Sequence, residues 1–145
     1  MIWMKYLFLV GLFIRAVYTD MKSEKIENTV VLTGLLAGLV FAVIGGGWAG
    51  LIQSIKMAGI VFIALFFLFV IHGLGAGDIK LFCVTATFFP EKAITILAGS
   101  FLVGGIFGMV RMIGRWRRKE VVSLKETIHF SIPIAVGTIL AQLWR

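Results

Sequence analysis

The apolar residues of this chain arrive in long runs, broken only by short polar segments, and that pattern limits the folds open to it. A helix that crosses the roughly 30 Å hydrocarbon core of a bilayer needs about 20 mostly apolar residues. Six runs come near that length: Ile2 to Thr19, Thr29 to Ile44, Gln53 to Ile71, Ile79 to Phe89, Ala93 to Met112 and Thr127 to Leu143. Composition agrees. Hydrophobic residues make up 60% of the 145 and charged ones 14%, and mean hydropathy is +1.04. A soluble domain carries about a quarter charged residues, so a water-soluble fold of this size could not hide so much apolar surface. The expectation is one membrane-embedded domain over residues 1–145, an all-α, polytopic transmembrane bundle of six helices in the lipid bilayer.

A net charge of +7 could point to nucleic acid, but its distribution points elsewhere. Arg111, Arg115, Arg117, Arg118, Lys119 and Lys125 hold six of the fourteen basic residues in one stretch between two apolar runs. That is the mark of a cytoplasmic loop, which also touches anionic lipid, and no nucleic-acid partner is expected. Counting back from it, the segments Asp20 to Asn28 and His72 to Asp78 both face the cytoplasm, and both termini lie outside. The fourth run is the weak link, because 11 residues rise only about 16 Å. It either starts nearer Leu74 or sits in the bundle interior, where a short helix is tolerated. Lys5 and the run Tyr6 to Ile14 resemble a signal peptide, but Arg15 interrupts it and no small-residue cleavage site follows, so it is read as a retained first helix.

Smaller features take ordinary readings. Gly34 and Gly38, Gly46 and Gly50, and Gly104 and Gly108 stand four apart, a spacing that lets helices approach closely in lipid. Intramolecular packing is favoured, with a homo-oligomer interface as the second reading. Cys83, the sole cysteine, is a small packing residue, and neither a disulfide nor a cysteine zinc cluster can form within the chain. His72 and His129 lack a second ligand at a metal-binding spacing, so no metal and no cofactor are expected. Trp3, Trp116 and Trp144 fall where interfacial aromatics belong.

The chemistry rests on the only two aspartates. Asp20 closes the first helix, and Asp78 follows Gly73-Leu74-Gly75-Ala76-Gly77 and opens the fourth. Ionisable groups at the membrane edge are costly unless paired or hydrated, which makes them functional candidates. Two carboxylates in one site cannot both ionise easily, so one keeps a proton while the other can take one from water. Their titration belongs to the pair. The glycines before Asp78 would admit a peptide backbone and permit unusual dihedrals. On the residues alone a plainer reading stands beside this one, with Asp20 a solvated loop residue and Asp78 an acid favoured by a helix dipole. Gly75-Ala76-Gly77-Asp78 is not a phosphate loop, since it lacks a third glycine or a Lys-Ser/Thr pair.

At these residues the chain resembles the type IV prepilin peptidases, which share a membrane aspartic-peptidase signature with the archaeal preflagellin peptidases. Gly75-Ala76-Gly77-Asp78-Ile79-Lys80 matches their Gly-x-Gly-Asp-hydrophobic-Lys signature. Asp20 stands six residues before Ile26-Glu27-Asn28, where the family has Ile-Pro-Asn. Phe130-Ser131-Ile132-Pro133 loosely resembles the family's proline-containing sixth helix. The resemblance implies that Asp20 and Asp78 are catalytic, with Gly75 and Gly77 shaping the active-site loop. Lys80 and Asn28 are read as supporting residues, Lys80 as an interfacial anchor and Asn28 as the cap of the second helix. Glutamate in place of proline suits a helix N-terminus, and Glu24 and Glu27 could attract a basic leader. The implied substrate is a prepilin, cut after a glycine between its basic leader and its hydrophobic helix, at the cytoplasmic face of the inner membrane. The sequence has no cysteine cluster and no extra cytoplasmic region, so it resembles the short, peptidase-only forms that serve Flp-type pili. The contrasting reading is a non-catalytic transporter or pilus-assembly subunit.

Overall fold

The computed structural model describes residues 2–23, 27–71, 74–118 and 131–143; within these, the side chains at 2, 20, 21, 23, 111–118, 131 and 143 are outside the description. All regular structure among the described residues is helical: α1 (Ile2–Ser23), α2 (Asn28–Val70), α3 (Ala76–Phe88), a 3-10 turn at Pro90–Lys92, α4 (Ala93–Arg118) and α5 (Ser131–Leu143).

A straight helix of 43 residues, the length of α2, would run about 65 Å, twice the thickness of a bilayer core. It does not run straight. Gly47 has φ 57° and ψ −146°, a conformation closed to residues with a Cβ, and it alone among the described glycines has a positive φ. A methyl group placed on Gly50 would stand 2.6 Å from the carbonyl oxygen of Ala42. Eight residues along a straight helix that gap would be about 12 Å, so the chain turns back on itself. The expected loop from Gly45 to Leu51 is therefore a single non-helical residue between two arms, 28–46 and 48–70.

Both arms close on α3, and their contacts fix the register. On the first arm, added methyls at Gly34 and Gly38 would meet Val84 and Thr87. On the second, Ser54 Oγ donates to the Thr87 carbonyl at 3.1 Å and Cys83 Sγ to the Ala58 carbonyl at 3.7 Å. Gly38 and Ser54 thus share one level, and Gly34 and Ala58 another, so α3 lies parallel to the first arm and antiparallel to the second. The glycine spacing does serve close packing here. A methyl on Gly34 would be 2.7 Å from Val84 Cγ1 and 2.6 Å from Leu12 Cδ1.

α3 is the short fourth run, and it occupies the interior. Asp78, Ile79, Leu81, Phe82 and every residue from Val84 to Phe88 are buried. It begins at Ala76, three residues before the expected start at Ile79. Its buried hydroxyls satisfy themselves on their own helix, Thr85 Oγ1 donating to the Leu81 carbonyl and Thr87 Oγ1 to that of Val84. α1 crosses antiparallel to α3, with Phe8 on Phe88 (6.1 Å between centroids) and Tyr6 on Phe89 (5.3 Å). α4 stacks Phe101 on Phe82, while α4 and α5 meet backbone to backbone: a methyl on Gly137 would stand 2.6 Å from the Ser100 nitrogen. Helix ends also shift from expectation. α1 continues through Ser23 and α4 through Arg118, and the described part of α5 runs from Ser131 to Leu143 with Pro133 inside it. Residues 127–130, expected to begin the last helix, lie outside the described residues.

The exterior is apolar. Leu7, Leu36, Trp48, Ile63, Phe67 and Leu102 are each more than half exposed, an arrangement costly in water. Among the described residues, Asn28–Val70 and Pro90–Val110 are long and apolar enough to cross a membrane, and Ile132–Gln142 is a shorter apolar helix.

Candidate active site

The candidate site is built where α3 begins. α2 ends at Ile71, whose N–H donates to the Phe67 carbonyl at 3.3 Å. Gly75 then caps α3 in an extended conformation (φ −76°, ψ 148°), and its carbonyl accepts from the Ile79 N–H at 3.3 Å. Ala76, Gly77 and Asp78 follow as the first three helical residues. Asp78 thus stands in the first turn, at the positive end of the helix dipole, where a carboxylate is stabilised. It is only 6% exposed. The Cys83–Ala58 pairing puts Asp78 level with about residue 63, so the second arm of α2 rises roughly 10 Å past it. The carboxylate is sunk below the rim of its own bundle.

Gly75 has a steric role. A methyl on it would stand 3.0 Å from Asp78 Oδ2 and 3.8 Å from Cγ, so only glycine leaves the carboxylate its present place. At Gly75 and Gly77 the expected dihedral freedom is not used, because φ at Gly75 is ordinary and Gly77 lies within the helix, while Gly73 lies outside the described residues.

Asn28 corrects a further expectation, and Lys80 is its partner. Lys80 is exposed, yet its Nζ donates to Asn28 Oδ1 at 2.8 Å, tying the start of α3 to the start of α2. Asn28 does not cap α2. The cap is Glu27, with φ −60° and ψ 131°, whose carbonyl accepts from the N–H groups of Val30 and Val31. Asn28 is the first helical residue, and its side chain is turned to Lys80 instead. Glu27 makes a second contact that the sequence did not signal: its Oε2 lies 3.5 Å from Arg15 Nη2.

Asp20 lies in the last two turns of α1, and its side chain lies outside the described residues, as do Glu24, His72 and His129. The backbone still has a definite level. Phe8 pairs with Phe88, and Leu12 and Val84 meet over Gly34, so α1 and α3 run antiparallel with residue numbers summing to about 96. Carried to the helix end, this register sets residue 20 level with residue 76, within about 3 Å of Asp78 along the axis. No group of three or more metal-ligating side chains occurs among the described residues.

Residues 7–109 match the type IV leader peptidase family, a span holding both aspartates and the Gly75 to Lys80 motif. A curated relative, the prepilin leader peptidase/N-methyltransferase of Bacillus subtilis (strain 168), is 29% identical over 143 residues, covering 93% of this chain and 53% of the relative. The chain therefore spans about half the length of that relative. No solved structure matches significantly. With the family match running through 103 of 145 residues, from within α1 to near the end of α4, the chain belongs to the type IV leader peptidase family.

Proposed function

We propose that this chain is a membrane-embedded aspartic endopeptidase that removes the basic leader from prepilins of the Flp type. The observation that carries the reading is the α1–α3 register, which brings the backbones of residues 20 and 78 to one level at one end of the bundle. Position 20 also continues, at helical spacing, the face of the buried residues Leu9, Phe13 and Ala16. The relative's name supplies the substrate class, and the sequence motifs supply the residues.

In this reading one aspartate is ionised and accepts a proton from a water molecule as its oxygen attacks the scissile carbonyl carbon. The other, protonated, donates to the carbonyl oxygen, so the addition product is a neutral diol and no charge is stranded in a low-dielectric site. Collapse breaks the C–N bond as one proton passes from the dyad to the departing amine and a diol hydroxyl returns one to the dyad, which restores its starting state. No covalent intermediate forms. Burial of Asp78 and its place at a helix N-terminus suit a pair that shares one proton.

The bundle sits in the inner membrane as a multi-pass domain of six helical spans, the two arms of α2 counting separately. Each arm, at 19 and 23 residues, reaches about 28 and 34 Å, a fit to the hydrocarbon thickness. Phe101 is level with Phe82, so Arg111 of α4 begins roughly 9 Å beyond the level of Asp78. The basic end of α4 and the site share one face, which the positive-inside rule assigns to the cytoplasm.

Co-expression with a candidate prepilin tests the reading. Leader removal should fall by at least about a hundredfold in Asp20→Asn and in Asp78→Asn, the scale of losing an acid–base group. Full cleavage with either variant would sink the dyad.

A further inference from the structure

Two adjacent residues at the start of α2 reach in opposite directions. Glu27 Oε2 meets Arg15 Nη2 on α1 at 3.5 Å, five residues before Asp20. Asn28 Oδ1 accepts from Lys80 Nζ on α3 at 2.8 Å, two residues after Asp78. We infer that Glu27 and Asn28 form a clasp that sets the spacing of the two aspartate-bearing helix ends, and that the Arg15–Glu27 ion pair does here what a proline at position 27 would do by rigidity. This rests on the dyad proposed above.

The argument is one of constraint. α1 and α3 are packed by rings at the opposite end, Phe8 on Phe88 and Tyr6 on Phe89. Toward the site α1 stays buried through Leu12, Phe13, Ala16 and Thr19, the last two small side chains where the other end has rings. Past Thr19, the exposed Lys22 lies with its ammonium over the Tyr18 ring of the same helix. Small angular play about the ringed end therefore becomes lateral displacement at Asp20, some 18 Å away by helix rise. A shift of about 1 Å between reacting groups can cost on the order of a hundredfold in rate. The Glu27–Asn28 junction joins α1, α2 and α3 by side chains at that end.

Residue 27 also explains why either side chain can serve. Its φ of −60° is the value a proline ring imposes, so the backbone already has the shape that proline would fix. Glutamate leaves that torsion free to move, and the pair with Arg15 restrains it from outside. Lys80 and Asn28 act as positioning residues, since neither is placed on the reacting atoms.

The test joins a distance to a rate. Spin labels at Lys22→Cys and Ala76→Cys, in a Cys83→Ser background, report the separation of the α1 and α3 ends in detergent or liposomes. Asn28→Ala and Lys80→Met should broaden that distance distribution and lower kcat about tenfold with KM held, the scale of a charged hydrogen bond. Lys80→Arg should restore both. Arg15→Gln and Glu27→Gln should each cost about threefold, as exposed ion pairs do. Glu27→Pro should keep the narrow distribution and full kcat, and in its background Arg15→Gln should have no effect. Unchanged distributions in Asn28→Ala and Glu27→Gln would overturn the clasp whatever the activity, as would equal sensitivity to Arg15→Gln with and without proline. The distances need no substrate turnover, so a failed dyad and a failed clasp give different results.

Discussion

The two ends of this bundle are held together by different means. At the end away from Asp78, Phe8, Phe41 and Phe88 form a ring cluster, and Tyr6 stacks on Phe89. Tyr6 Oη donates to Gln142 Oε1 at 2.8 Å, and Lys92 Nζ donates to the Ala141 carbonyl at 3.1 Å, closing the last turn of α5. At the Asp78 end, buried Val30, Leu65, Leu74 and Ile79 and the Phe82–Phe101 stack accompany a buried carboxylate set against a glycine, one lysine–asparagine bond and one exposed ion pair. The first end binds by area and shape, with large rings whose burial dominates stability. The second adds a few directional contacts between polar groups at the helix ends. For α1 the contrast is between ring packing at one end and an exposed ion pair at the other.

The largest break in that comparison should come from filling a helix contact in the packed half. Gly38 abuts Thr87 and Phe88, where an added methyl would stand 2.9 Å from Thr87 Cβ and 3.1 Å from Phe88 Cδ2. Gly38→Leu should cost about 1–3 kcal/mol or more by overpacking, seen as a clear fall in melting temperature in detergent. Gly11→Ala, with nothing within 4 Å, is its control and should leave melting unchanged. A Gly38→Leu protein of normal stability would mean the arms of α2 are not pressed on α3.

A smaller, opposite effect is expected from Gly75→Ala. Its methyl meets a carboxylate oxygen at 3.0 Å, and Asp78 must yield by a few tenths of an ångström. Leader cleavage should slow about tenfold, a misplacement effect, while melting temperature holds. Loss of stability with turnover preserved would show the glycine to be structural and erase the contrast between the ends. The smallest effect sharpens the comparison from the other side. Tyr6→Phe keeps the ring on Phe89 and removes the bond to Gln142, so stability should drop by about 1 kcal/mol with the cleavage rate unmoved.

Much of this was legible in the chain itself. The helical class, the break near Gly47, the interior position open to the short run before Pro90, and Asp78 at a helix start all follow from run lengths and glycine placement. The partners of the supporting residues were not. Asn28 was expected to cap α2, because asparagine is a strong cap, but Glu27 holds the cap position without a side-chain cap bond and Asn28 meets a lysine 52 positions away. Lys80 has the pattern of a residue reaching for lipid headgroups, and nothing local says that an amide lies within its reach. The glycines before Asp78 suggested unusual torsions, whereas the one at 75 matters for the atom it lacks.

What sequence determined by itself was set by local physics: apolar runs must be helices in a solvent that cannot satisfy a backbone, and a charge beside them must sit at an end. Which arm lies parallel to α3, how deep Asp78 sinks and what Glu27 and Asn28 touch were decided only by tertiary structure. Those depend on the level at which distant segments meet, and that level is set by where glycine lets backbones approach, at Gly34, Gly38 and Gly50. The two aspartates are visible in the sequence as rare charges, but the common height of their helix ends comes from Phe8 and Leu12 packing over the far half of α3.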